Sequence, residues 1–269
     1  MRPTSSFLHR VRADFILSSP ETATDYRIFV HDDPGREVRA PRPAVLFMDG
    51  DDQFAPAVVA YDQLRAAQVI EPLLLVGVGY GASYTQRGNR RGRDYTPVPH
   101  GDEPTSGGAD AFLRFLTHTL WTELGRRHAL DARLRGIAGH SLGSLLVLHA
   151  LFQPRPFFTH HLASAPSVWW ADRAILEQAA QLRSRQSTLP GRVVLSVGEE
   201  DTESMTGDLR LLEQQLADQP FTELEVISQR FAARNHYNVL PDAFAAGLTA
   251  LFRAQASPPS SAASGPRSS

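Results

Sequence analysis

Three short stretches of this chain carry side chains that could do chemistry together: a serine between glycines, acids behind a glycine, and a histidine between asparagines. The first, Gly139-His140-Ser141-Leu142-Gly143, follows the apolar run Leu134 to Ala138 and leads into Leu145 to Leu151. That strand, sharp turn and helix is the setting in which a serine hydroxyl is lifted clear of a sheet to act as a nucleophile. G-x-S-x-G alone also builds ordinary turns, so partners are needed. Val193 to Val197 run into Gly198-Glu199-Glu200-Asp201. An acid just beyond a late strand can orient an imidazole; Asp201 is the first choice, with Glu200 and Glu199 as alternatives. Asn235-His236-Tyr237-Asn238 precedes the last helical segment and completes the order serine, acid, histidine. His140 reads as a residue that shapes the turn.

Composition removes competing chemistries. There is no cysteine, and all 27 basic residues are arginine, so thiolate sites, disulfides, Schiff bases and serine-lysine dyads are excluded. An activated serine here must use histidine as its base. A net charge of −2 without a basic run gives no footprint for nucleic acid or an anionic membrane, which leaves a small-molecule partner. His100, His118, His160 and His161 lack a ligand pattern, so no metal is expected, and no cofactor. Gly77-x-Gly79-x-Gly81 lacks the third glycine of a dinucleotide site and is followed by arginines instead of a helix.

These residues must be held by an α/β architecture. Phe15 to Leu17 and Tyr26 to Val30 read as an antiparallel entry. Strand-like runs follow at Ala44 to Met48, Leu73 to Val78, Leu134 to Ala138, His161 to Ser164, Val193 to Val197 and Leu224 to Ile227. Helical segments at Val58 to Gln68, Ala174 to Arg183, Leu209 to Leu216 and Phe244 to Phe252 alternate with them, as does a stripe of Leu113, Leu116, Leu120 and Leu124. The pattern predicts a doubly wound, mainly parallel sheet in one domain over 1–255, and a disordered Ser/Pro/Ala-rich tail over 256–269. Met1 to Pro20 has no signal-peptide core and no run is long enough to span a membrane, so a cytoplasmic location is expected. Between Tyr84 and His100, Arg87, Arg90, Arg91 and Arg93 form either a solvated loop in which Arg93 pairs with Asp94, or a cationic lid for an anionic or catecholate substrate. Of the adjacent Trp169 and Trp170, at most one should face a substrate while the other packs.

From about Phe15 to Phe252 the chain resembles the putative-esterase family of α/β-hydrolases, its siderophore-esterase (enterochelin or salmochelin type) branch most closely. The resemblance rests on seven stretches in order: Val45 to Asp51, Val76 to Tyr80, Arg93 to Pro97, Gly107 to Phe112, the elbow, Ala165 to Trp170, and Asn235-His236. It implies an α/β-hydrolase fold and a serine esterase acting through an acyl-enzyme, with Ser141 as nucleophile, His236 as base and an acid near Asp201. It also implies an oxyanion hole from the amides of Asp51 and Leu142; the substrate contacts expected from the residues themselves are Arg90, Arg91, Arg93 and Trp169. An acyltransferase with the same triad, or a binding protein on this scaffold, are the alternatives. Two positions depart from the family: Ser144 stands where a glycine is usual, and Ala165 where a serine is usual.

Overall fold

The strands form where apolar residues alternate or run continuously: β1 Ala13–Ser19, β2 Thr24–His31, β3 Arg42–Phe47, β4 Leu74–Gly79, β5 Leu130–His140, β6 His160–Ser164, β7 Thr188–Gly198 and β8 Thr222–Phe231. In this computed structural model, which describes residues 13–32, 41–101 and 103–254, they make one sheet in the order β1-β2-β4-β3-β5-β6-β7-β8. β1, β2 and β4 pair antiparallel, and β4-β3-β5-β6-β7-β8 pair parallel throughout. All eight expected strands are present, several longer at one or both ends. The proposed tail, 256–269, lies outside the described residues.

Because successive strand residues face opposite sides, the sheet has two cores. Leu46, Val76 and Ile137 lie in one, beneath α3 (Ala109–Arg114), α5 (Leu142–Leu151), α6 (Trp170–Arg185) and α7 (Glu203–Asp218). Val45, Leu75 and Ala138 lie in the other, against α1 (Gly50–Ala66) and α8 (Leu240–Phe252). Of the expected stripe, Leu116, Leu120 and Leu124 are fully buried and Leu113 is half-buried, but one stretch of it, Phe115–Leu120, is a π-helix between α3 and α4 (Trp121–Arg127). Among the described residues no helix is long and apolar enough to cross a membrane.

Two segments differ from expectation where polar residues obscured them. α1 begins at Gly50, eight residues before Val58. Asp49 takes a left-handed conformation (φ 54°) that ends β3, and its carbonyl receives the amides of Asp52 and Gln53. Asp51 and Asp52 in that first turn favour the helix dipole. The arginine-rich segment contains a short helix, α2 (Arg91–Asp94), in which Arg93 pairs with Asp94, followed by the wholly buried Tyr95 and Thr96, so its second half is anchored to the core while Tyr84 to Arg90 stay largely exposed.

Candidate active site

β3 lies between β4 and β5, so the chain leaves its C-terminal end in one direction and returns on the other side; such a switch point is where open α/β sheets bind ligands. Two helices start there, α1 from β3 and α5 from β5. At the second, Ser141 has φ 60° and ψ −123°, a strained conformation for any residue with a Cβ. Close packing enforces it: a Cβ on Gly139 would stand 2.4 Å from the Gly143 carbonyl carbon. Ser144, the first departure from the family pattern, is fully buried and satisfied, its hydroxyl 2.6 Å from the Gly139 carbonyl oxygen and 2.7 Å from that of Ser164. The added side chain thus ties β5 to β6 beneath the elbow.

The Ser141 hydroxyl is partly accessible and lies 3.5 Å from the Ser167 hydroxyl, a neighbour that motif spacing did not single out. Ser167 is buried and its amide reaches the Ser141 carbonyl. Ala165, the other departure, is also buried, with φ 42°.

The acid and the histidine meet across the end of β7. His236 Nδ1 is 2.9 Å from Asp201 Oδ2, with the Asp201 carboxylate almost fully shielded, whereas Glu199 and Glu200 are exposed. The meeting depends on Gly198: a Cβ there would come within 2.2 Å of the Arg234 carbonyl oxygen, which receives the Glu200 amide. The histidine loop is shaped by two side chains. Asn235 Oδ1 accepts the amides of Tyr237 and Asn238, and Asn238 Oδ1 accepts the amide of Asn235. The spacing Asn-x-x-Asn was the available sign of this turn. His236 is brought to the elbow through His140, whose ring centroid is 4.6 Å from its own.

Asp51 and Leu142 occupy the first turns of α1 and α5, where a helix leaves its amides without intrahelical acceptors. The first amides to find one are Asp52 and Gln53 on the Asp49 carbonyl, and Ser144 and Leu145 on the Ser141 carbonyl. The Asp51 carboxylate itself receives the amides of Tyr80 and Gly81, tying α1 to the end of β4.

The arginines have different fates. Arg91 forks onto buried Asp49, Nε to Oδ1 at 2.9 Å and a terminal nitrogen to Oδ2 at 3.0 Å, with the Tyr84 ring 5.2 Å from its guanidinium carbon. Burial pushes the Asp49 carboxyl up from its ordinary value, and the Arg91 charge opposes this. Arg93 bonds buried Asp94 and reaches Thr24 and Tyr26, with Tyr26 and Tyr80 also donating to Asp94. Both charges are spent inside the fold, while Arg87 and Arg90 are exposed. Trp170 packs and donates its indole N–H to the Val98 carbonyl, leaving Trp169 as the accessible ring of the pair. Tyr84 and Tyr237, on two other loops at this end of the sheet, are exposed as well. A separate hollow of about 1150 Å³, lined by His160, Arg192, Ile227, Phe231, Asp242 and other residues, runs along β8 and α8 and includes neither Ser141 nor His236.

A strained serine between β5 and α5, an acid after β7 and a histidine before the last helix, on a doubly wound sheet, define an α/β-hydrolase. The family described as putative esterase matches residues 19–240, and the chain belongs to it. The enzyme is a serine hydrolase that cleaves carboxylic esters. The ferri-bacillibactin esterase BesA of Bacillus subtilis is 28% identical over 244 residues, 84% of each chain. The siderophore triacetylfusarinine C esterase of Aspergillus fumigatus is 35% identical over 153 residues, 52% of this chain and 49% of that protein. In fold, the crystal structure of BES protein from Bacillus cereus superposes with a TM-score of 0.79 at 24% identity, covering 94% of this chain and 97% of that one.

Proposed function

We propose that the enzyme hydrolyses siderophore esters, with Ser141 as nucleophile, His236 as general base and Asp201 as the acid that orients it. The observation that carries the assignment is the His236–Asp201 hydrogen bond of 2.9 Å, with the His236 ring packed on His140, the residue before a serine in a strained elbow. His236 takes the Ser141 proton as the oxygen attacks the ester carbonyl, and the Nδ1–H stays with Asp201, which stabilises the imidazolium. The developing oxyanion is held by the amides of Asp51 and Leu142, each contributing about 3 kcal/mol to the transition state. The imidazolium returns its proton to the leaving alcohol. Water, deprotonated by His236, then releases the acyl group from Ser141.

The substrate class is supported by the relatives, two of which are esterases of named siderophores, and by the rim. Exposed Tyr84, Trp169 and Tyr237 offer faces for planar aromatic groups, and exposed Arg90 and Arg87 offer charge to anionic or catecholate oxygens. The same proposal has the described sheet and helices act as one domain, in the cytoplasm. The test is an ester panel combined with fluorophosphonate labelling. The reading requires that Ser141 be labelled and that catecholate siderophore esters be cleaved with higher kcat/KM than neutral short-chain esters. Product partition toward an added alcohol instead of water would establish the acyltransferase alternative.

A further inference from the structure

The imidazole of His140 is not needed to make the elbow, which backbone packing at Gly139, Gly143 and Ser144 already forces. Yet it is buried, and a buried polar ring must be hydrogen-bonded to be tolerated. It ends β5 in register with Ser164 on β6, which is in register with Ser196 on β7. The two serines are small and share its face of the sheet, leaving room above them for the ring and for the loop that carries His236. His140 Nδ1 lies 3.1 Å from Ser164 Oγ, and its ring packs against that of His236. A neutral imidazole has one donor and one acceptor. When Ser164 donates to Nδ1, the proton of the neutral ring sits on Nε2. The two rings are 4.6 Å apart and inclined at 43°.

We propose that His140, locked by Ser164, is a positioning residue for the general base: its ring packs against that of His236 so that one nitrogen faces Asp201 while the other can reach Ser141. The inference rests on His236 being the base. Charge supports it. Burial first, then the proximity of His236 and Arg91, lowers the His140 pKa to about 3. It therefore stays uncharged while His236 becomes an imidazolium, and does not repel it. The charged and titratable groups around it are His236, with Asp201 behind it, and Arg91, with Asp49 behind it.

The test uses the full-length enzyme with H140F, S164A and the double variant, alongside S141A and H236A. H140F keeps a ring and loses the hydrogen bond to Ser164; S164A loosens the lock without touching the elbow. Because misplacing a catalytic group slightly can cost about a hundredfold, kcat should fall about ten- to a hundredfold in H140F, with KM changed less than about threefold. S164A should show a smaller loss of the same kind, and the double variant should be no worse than H140F, since the two act as one unit. The acid limb of the kcat/KM profile of the native enzyme should report a single proton. Unchanged kcat in both single variants, a loss confined to KM, or a two-proton limb overturns the proposal. If H140F fails to fold by circular dichroism, S164A decides alone. H236A inactive beside fully active H140F sinks this inference only, whereas an active H236A removes the base assignment beneath it.

Discussion

Ser141 concentrates the cost of the proposed site in one backbone conformation. A non-glycine residue at φ 60° and ψ −123° stores about 1–3 kcal/mol, held by the packing of α5 on β5. S141A should therefore lose turnover by about a thousandfold or more at nearly native stability. S141G should be equally inactive yet more stable than S141A by about 1 kcal/mol, read as a higher urea midpoint, because glycine relieves the strain. Equal midpoints would mean that the turn is unstrained. At the acid, D201N should cost about four orders of magnitude in kcat by favouring the wrong histidine tautomer. E199Q and E200Q, altering exposed side chains, should stay close to native; a severe loss in either would move the acid.

At the scale of elements, the site depends on where strand ends and loops approach each other. G198A would drive a methyl group to 2.2 Å from the Arg234 carbonyl oxygen, displacing the loop that holds His236 from the end of β7. Its kcat should fall by about a hundredfold while the protein remains folded, and native-like kinetics would show that the loop can shift without consequence. The strands also hide histidines. Burial lowers the pKa of His161 on β6 to about 3, as it does that of His140 on β5. The unfolded chain, with histidines near their ordinary value, takes up protons first as the pH falls. Stability should then decline below about pH 6.5 by up to about 1.4 kcal/mol per pH unit for each such histidine. H161Q should flatten that decline in urea midpoints measured between about pH 7 and 4. An unaltered slope would show that His161 is not held neutral.

The whole molecule decides which charges remain available to a substrate. The buried pairs Arg91–Asp49 and Arg93–Asp94 knit α2 to the end of β3 and to β2, and leave Arg87 and Arg90 facing solvent. R93Q leaves Asp94 with the Tyr26 and Tyr80 hydroxyls but no cation and should cost about 1–3 kcal/mol of stability, lowering Tm without selectivity between esters. R90Q should leave Tm unchanged and raise KM for an anionic ester several-fold relative to a neutral one, more so at low ionic strength. Should R90Q affect both esters alike, the exposed arginines take no part in recognition, and discrimination falls to Tyr84, Trp169 and Tyr237.

Much of this was legible in the sequence because it is local. Apolar runs such as Val193 to Val197 dictate strands, the glycines around Ser141 dictate a tight turn into a helix, and the lack of lysine and cysteine leaves histidine as the base for an activated serine. The order of Ser141, an acid and His236 along the chain follows from the same reading. Local pattern put Asp201 first but left Glu199 and Glu200 open, since consecutive side chains diverge. The choice depends on how β7 ends against a loop 35 residues further on. The Arg93–Asp94 pair is readable from adjacency, but local pattern could not place Arg91, which finds Asp49 only when α2 packs against the end of β3, or assign Ser167 and His140, whose partners lie on neighbouring strands and loops. Chain-local dihedral preferences and periodicity build the elements, whereas desolvation and pairing of charged and polar groups are settled only when those elements meet.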